Sequence, residues 1–184
     1  MPMNAPRIPY VPADLSEPAE LVAAIHARRG GALLELDRML LHSPAFASGW
    51  NAFLGAVRGS LALDPKLREL AMCVVAVLNG AEYEFVHHAP VYLAAGGTQA
   101  QLDAMRDPDR AIGETLLFDP VERAALALTV AMTRSVRVED ATFAAVRERL
   151  GERQTVELVG VIAAYNMVSR FLVALGVTPE APPG

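Results

Sequence analysis

The chain has 184 residues, 53% of them hydrophobic and 20% charged, with a formal net charge of -5. This length suits a single domain with its own core, and the acidic balance with scattered basic residues excludes the positive footprint that nucleic-acid binding requires. The single cysteine, Cys73, excludes an internal disulfide and a cysteine-based metal cluster, which fits a reducing cytoplasm.

Hydropathy favours a protein that associates with itself and not with a membrane. The longest uninterrupted apolar run, Leu70 to Leu78, is about half the length that a membrane span needs. No apolar segment of signal-peptide length follows the first residues, so we expect a cytoplasmic protein. The mean hydropathy of +0.28 is nevertheless high, and this surplus of apolar side chains predicts contacts between identical subunits.

Proline and glycine mark out an extended arm and a series of helices. Four prolines in residues 1–13 resist both a helix and a central strand, and predict an extended arm against a neighbouring surface. Further along, polar capping residues with nearby prolines indicate helix starts, and glycines indicate helix ends; the clearest are starts at Ser16, Ser43, Asp64 and Asp119, and ends at Gly30, Gly80, Gly96, Gly151 and Gly176. Alternating runs of strand length are missing. The sequence therefore predicts one all-α domain of about eight helices over residues 14–178, followed by a flexible tail at 179–184.

The segment after Asn79 places a carboxylate beside an imidazole. Glu84 and His88 are four residues apart, so their side chains share one face of a helix. If the chain reverses at Asn79 and Gly80 into an antiparallel helical hairpin, Glu69 comes within about one turn of His88. A carboxylate fixes the tautomer of a histidine, and two carboxylates favour the proton-donating imidazolium. Such pairs are also frequent on solvated helix faces, where they have no catalytic role.

Two further side chains lie near this face. His87 is three residues from Glu84, and Tyr92 extends the face by one more turn, so we expect both to line a substrate site. Glu84 and His87 also supply one Glu-x-x-His pair, but a dimetal site in a helical bundle requires two such pairs. We therefore expect no metal at this site.

The chain resembles the carboxymuconolactone decarboxylase family, which also contains the alkyl hydroperoxidases. The resemblance is carried by Pro6-Arg7-Ile8-Pro9, Arg68-Glu69-Leu70, Glu82-Tyr83-Glu84-Phe85-x-x-His88, Gly96 and Gly97, Tyr165-Asn166-Met167, and Leu175-Gly176-Val177. It implies an alkyl hydroperoxidase-like helical bundle that assembles into a homotrimer or a homohexamer. In the hydroperoxidase branch a glutamate, a Cys-x-x-Cys pair and a histidine form the reactive centre. Glu69 and His88 match that glutamate and histidine, whereas Ala81 and Glu84 occupy the two cysteine positions.

The missing cysteines favour proton transfer over thiol chemistry. Peroxide reduction needs a reactive thiolate and a second thiol to recycle it, and Cys73 lies in an apolar run where we expect it to be buried and inert. The resemblance therefore implies a decarboxylase-like carbon-carbon lyase or isomerase that needs no cofactor. Its implied reaction converts 4-carboxymuconolactone to the enol lactone of 3-oxoadipate, and related lactones or enolisable acids are equally compatible. We expect His88 to donate the proton, Glu84 to orient it or act as a base, and Glu69 to tune it.

An anionic small-molecule substrate requires an arginine, and the sequence offers three candidates without ranking them: Arg7, Arg134 and Arg170. Each also has a simpler explanation, because arginines near helix ends bind carbonyl groups or face water. Two alternatives to the lyase remain open. One is a peroxidase-related redox protein that relies on Cys73, and the other is a non-catalytic oligomeric binding protein.

Overall fold

The computed structural model describes residues 5–179, and all regular structure within that range is helical. The helices are α1 (Ala19–Arg29), α2 (Glu35–Leu40), α3 (Pro44–Gly59), α4 (Pro65–Asn79), α5 (Glu82–Ala94), α6 (Gln99–Met105), α7 (Pro108–Ala111), α8 (Pro120–Arg134) and α9 (Asp140–Leu175). The all-α prediction is confirmed for these residues. Helices α2 and α7 have only six and four residues, too few for a periodic pattern to reveal. Residues 1–4 of the predicted arm and 180–184 of the predicted tail lie outside the described chain.

Side-chain caps and glycines set the helix ends that position the site. The Asp64 carboxylate accepts hydrogen bonds from the first free N–H groups of α4 at 2.8 and 3.2 Å, and Asp119 does the same for α8 at 2.7 and 2.8 Å. Gly80 follows α4 with φ 63°, a left-handed conformation that glycine adopts without strain. The sequence predicts a helix end at Gly151. The structure has a kink there, with φ 72°, inside the long helix α9.

The domain comprises two compact units. Within the described range, one is formed by residues 5–60 together with residues 171–179, and the other by Leu61–Arg170. The first unit is held by an aromatic cluster, in which the ring centroids of Phe46, Trp50 and Phe171 lie 5.0 to 5.8 Å apart.

Residues 5–13 of the predicted arm form neither helix nor strand and bind along this first unit. The Arg7 backbone N–H donates to the Leu175 carbonyl at 2.9 Å, and the Arg38 Nε–H donates to the Val11 carbonyl at 2.7 Å. These bonds attach the arm to the end of α9 and to α2.

The second unit, Leu61–Arg170, contains the candidate site. Helix α4 is central to it, with residues 70–76 no more than 1% exposed, and α5 and α8 pack against it. Helix α9 is long and apolar enough to cross a membrane by length and composition, but half of its most apolar stretch is buried inside the protein. Leu158, Ile162 and Tyr165 on this helix are fully buried, so its hydropathy is explained by its place in the core.

Candidate active site

A helical hairpin brings the predicted carboxylate and imidazole together. Helix α4 ends at Gly80, the chain reverses, and α5 packs back along α4. As a result Glu69 Oε2 lies 2.6 Å from His88 Nδ1, although nineteen positions separate the two residues in the sequence. The predicted approach of Glu69 to His88 is confirmed.

His88 has a hydrogen-bond partner at each ring nitrogen. Because the Glu69 carboxylate can only accept, Nδ1–H is the donor on that side. In the neutral ring Nε2 then accepts from the Tyr165 hydroxyl, 3.0 Å away on α9. The two rings meet edge to face, with centroids 4.9 Å apart at 84°. A carboxylate, an imidazole and a hydroxyl thus form a continuous path for a proton.

Glu69 is buried but stays an acceptor. Its side chain is 3% exposed, and its second oxygen accepts a 3.1 Å hydrogen bond from Arg68 Nε. Burial alone would raise the pKa of Glu69, but the hydrogen bonds and charges of His88 and Arg68 outweigh it and hold the pKa below its ordinary value. The carboxylate therefore carries its charge at neutral pH and can stabilise an imidazolium.

Glu84 does not take the orienting position at Nδ1 of His88 that the sequence suggested. Glu84 is 2% exposed and its Oε2 accepts a 2.7 Å hydrogen bond from the Ser169 hydroxyl. The bond that orients His88 at Nδ1 comes from Glu69 and not from Glu84. Helical spacing brings residues i and i+4 to one face, but it does not fix where their side chains turn, and the hairpin brings Glu69 to Nδ1.

The structure places His87 and Tyr92 in other contacts. The His87 ring stacks on Tyr83 at 4.2 Å, and its Nδ1–H donates to the Tyr83 carbonyl at 2.7 Å. Tyr92 is fully buried, and its hydroxyl donates to Gln101 Oε1 at 2.9 Å. Burial and the nearby Glu122 carboxylate raise the pKa of Tyr92. The Tyr92 hydroxyl is thus part of the core between α5 and α6.

None of the three predicted arginines joins the hydrogen-bonded chain around His88. Arg134 forms a two-pronged ion pair with Asp109 at 2.6 and 2.7 Å on the surface, and Arg170 donates to Asn166 one turn earlier on α9. Arg7 belongs to the other unit, where its backbone binds Leu175.

Three side chains of the site were not among the sequence candidates: Arg68, Tyr165 and Ser169. Tyr165 and Ser169 are one turn apart on α9, so one helix face reaches both His88 and Glu84. The sequence contained only weak evidence that these residues belong to the site. Arg68 and Tyr165 lie inside segments that carry the family resemblance, but nothing in their local spacing connects them to His88.

Cys73 lies on α4 one turn after Glu69 and is 0% exposed. Burial raises the pKa of its thiol, and the charges of Glu69 and Glu84 raise it further. The thiol is therefore protonated and inaccessible, as an inert core cysteine is. Within residues 5–179, moreover, no group of three or more His, Cys, Asp or Glu side chains is arranged to hold a metal ion.

The chain is similar to one protein family in sequence and to several solved structures in fold. Residues 44–131 match the model of the carboxymuconolactone decarboxylase family. No curated protein matches the sequence. Among solved structures, an uncharacterized peroxidase-related protein from Silicibacter sp. TM1040 has a TM-score of 0.80 at 20% identity, over 97% of this chain and 96% of its own.

Two other structures have the same fold. An alkylhydroperoxidase AhpD core protein from Ralstonia eutropha JMP134 gives a TM-score of 0.75 at 20% identity, over 96% of this chain and 93% of its own. The debrominase Bmp8 in complex with 2,3,4-tribromopyrrole gives a TM-score of 0.79 at 16% identity, over 95% of this chain and 92% of its own. At these identities the likeness establishes the fold and leaves the activity open. Residues 44–131 are thus similar to the carboxymuconolactone decarboxylase family, and the chain shares the fold of these peroxidase-related and alkylhydroperoxidase structures.

Proposed function

We propose that the protein is a cofactor-independent lyase or isomerase that transfers protons through His88 on a small carboxylated lactone or enolisable acid. The supporting observation is the setting of the imidazole, with a carboxylate 2.6 Å from Nδ1 and a hydroxyl 3.0 Å from Nε2. The His88 side chain is 12% exposed, whereas Glu69 and Tyr165 are buried. Of the carboxylate, the imidazole and the hydroxyl, the imidazole is the group that a substrate can reach.

The proposed reaction needs one proton and no redox step. In decarboxylation the bond to the carboxylate carbon breaks, CO₂ leaves, and the electron pair passes through the conjugated double bond into the lactone carbonyl group as a dienolate. The imidazolium of His88 then delivers a proton to carbon and regains one from solvent, while Glu69 stabilises the charged ring. The conversion of 4-carboxymuconolactone to the enol lactone of 3-oxoadipate, which the family resemblance implies, balances in this way.

The test is turnover of 4-carboxymuconolactone by the purified protein, followed by absorbance and CO₂ release. We expect His88→Ala to lower turnover by about 10²–10⁴-fold, the usual contribution of a positioned acid or base. His42→Ala is the matched control, because His42 is exposed and its ring binds the Pro9 carbonyl in the other unit. Absence of turnover at high enzyme concentration would remove this substrate from the proposal.

A redox function that relies on Cys73 is a second candidate, supported by the fold shared with peroxidase-related proteins. Its burial and raised pKa oppose formation of a thiolate. Peroxide consumption that disappears in Cys73→Ser would favour the redox function, and consumption unchanged in that variant would eliminate it.

The third candidate is a non-catalytic oligomeric binding protein. This alternative gains support if His88→Ala and Glu84→Gln change neither a turnover nor a ligand-induced shift in melting temperature. For the lyase we propose a cytoplasmic homotrimer or homohexamer, in line with the apolar composition and the exposed apolar side chains.

A further inference from the structure

The hydrogen-bonded chain around His88 contains an arginine with unused donors. Arg68 is the residue before Glu69 on α4, and its Nε–H donates to Glu69 Oε1 at 3.1 Å. Among residues 5–179 the structure gives neither terminal NH₂ group of Arg68 a protein acceptor. The side chain is 13% exposed, so it is largely enclosed but reachable from solvent.

One carboxylate holds both this arginine and the histidine. Glu69 Oε1 accepts from Arg68 and Oε2 accepts from His88, which places the guanidinium and the imidazole on either side of a single carboxyl group. With Nε anchored, the plane of the guanidinium is fixed, and its terminal donors are oriented before any ligand binds. A planar fork of this kind matches the two oxygens of a carboxylate.

In two other arginines of the same unit, Arg106 and Arg134, both terminal nitrogens already donate to a carboxylate. Arg106 pairs with Glu82 at 3.1 Å and lies over the Phe85 ring at 3.5 Å, and Arg134 is held by Asp109. Arg68 differs from both because it binds Glu69 through Nε–H, so that its two terminal NH₂ groups remain available to a ligand.

We infer that Arg68 binds the carboxylate of an anionic small-molecule substrate and holds it next to His88. The inference rests on the proposed function, since it assigns a substrate contact in the same site. It replaces Arg7, Arg134 and Arg170 in that role. A carboxylate bound there also adds negative charge beside the imidazole and favours its protonated, donating form, so the substrate itself prepares the proton donor.

The test is a binding measurement that needs no turnover. Calorimetry with muconate, an unsaturated six-carbon dicarboxylate, is compared with its uncharged dimethyl ester on the wild-type protein and on Arg68→Gln, Arg68→Lys and Arg137→Gln. Arg137 is the control because it is an exposed arginine of the same unit. Circular dichroism and melting curves establish that each variant is folded before titration.

We expect muconate, and not the ester, to bind the wild-type protein and Arg137→Gln with equal affinity. Arg68→Gln should weaken binding by about ten- to a hundredfold, the usual cost of a lost hydrogen bond between charged groups. Arg68→Lys should lie between, because it keeps the charge but loses the fork. Equal binding of muconate to the wild type and Arg68→Gln, or equal binding of ester and acid, would overturn the inference, as would no binding of muconate to the wild type. Muconate binding through Arg68 without turnover of 4-carboxymuconolactone would contradict the proposed reaction and leave this inference intact.

Discussion

His88 can exchange a proton because its two nitrogens have different partners. A carboxylate at Nδ1 holds the ring and stabilises its positive charge, and a hydroxyl at Nε2 occupies the nitrogen that exchanges the proton. The same logic of carboxylate, imidazole and hydroxyl operates wherever a histidine activates an alcohol. Here the hydroxyl belongs to Tyr165, which is fully buried, and it donates to Nε2 of the tautomer that Glu69 already selects.

Replacing Tyr165 by Phe tests that hydrogen bond. The variant should lose about 0.5–1.5 kcal/mol of stability, the net value of one hydrogen bond, and the ¹⁵N resonance of His88 Nε2 should shift because that nitrogen loses its hydrogen-bond donor. Tyr92→Phe is the matched control, because its hydroxyl bonds to Gln101. It should cost similar stability and leave the His88 resonances in place. Identical His88 spectra in the wild type and Tyr165→Phe would show that the hydroxyl does not bond to Nε2.

Replacing Glu69 by Gln tests the role of its charge in stability. Because the pKa of Glu69 is lowered in the fold, its charged form stabilises the protein above the ordinary value of 4.5, and that contribution is lost as the pH falls through the folded-state pKa. We expect Glu69→Gln to be less stable than the wild type at neutral pH and to lose less on acidification. Melting temperatures measured over an acid titration check this, and parallel curves for the two proteins would contradict it.

At the scale of elements, the site depends on the close packing of α5 against the turn that follows it. A Cβ atom at Gly97 would lie 2.1 Å from the Tyr92 ring, well inside contact distance. Tyr92 in turn bonds to Gln101, which also donates to the Leu117 carbonyl at 2.8 Å. The buried ring of Tyr92 therefore fixes how α5 meets α6, and α5 carries His88.

Gly97→Ala should disturb that junction. We expect a loss of about 1–3 kcal/mol, typical of overpacking, measured by denaturant unfolding. Gly160→Ala is the comparison, because Gly160 lies inside α9 and a methyl group added there would meet nothing within 4 Å. That change should be neutral or should stabilise by up to about 1 kcal/mol, the helix preference of Ala over Gly. Equal stability of the two variants would show that the Tyr92 ring moves aside at little cost.

For the whole molecule, the exposed apolar side chains are the observation in favour of the proposed self-association. Within residues 5–179 they include Leu116 at 97%, Val136 at 102% and Val156 at 70% exposure. Such side chains are costly in water and become buried when subunits associate.

Light scattering after gel filtration tests the proposed assembly. We expect a mass three or six times that of the 19.7 kDa chain at micromolar concentration. A monomeric mass under those conditions would contradict the trimer and the hexamer together.

Local chemistry in the sequence determined the elements of this protein. Asp64 followed by Pro65 starts α4 and Gly80 ends it, because capping and left-handed backbone geometry act over a few residues. The hairpin follows from two helices joined by so short a turn, and with it the approach of Glu69 to His88. The apolar run around Cys73 likewise identified a buried thiol.

Only the tertiary structure decided which groups complete the site. Tyr165 reaches His88 across 77 positions of sequence, and Ser169 reaches Glu84 across 85, through the packing of α9 on α5. Such contacts depend on the rotation of one helix against another, which no short spacing encodes. For the same reason helical spacing suggested Glu84 as the orienting carboxylate, where the structure has Glu69, and did not identify Arg68 as part of the site. The spacing of residues within a helix predicts which side chains share a face, and the packing between helices determines which of them form contacts.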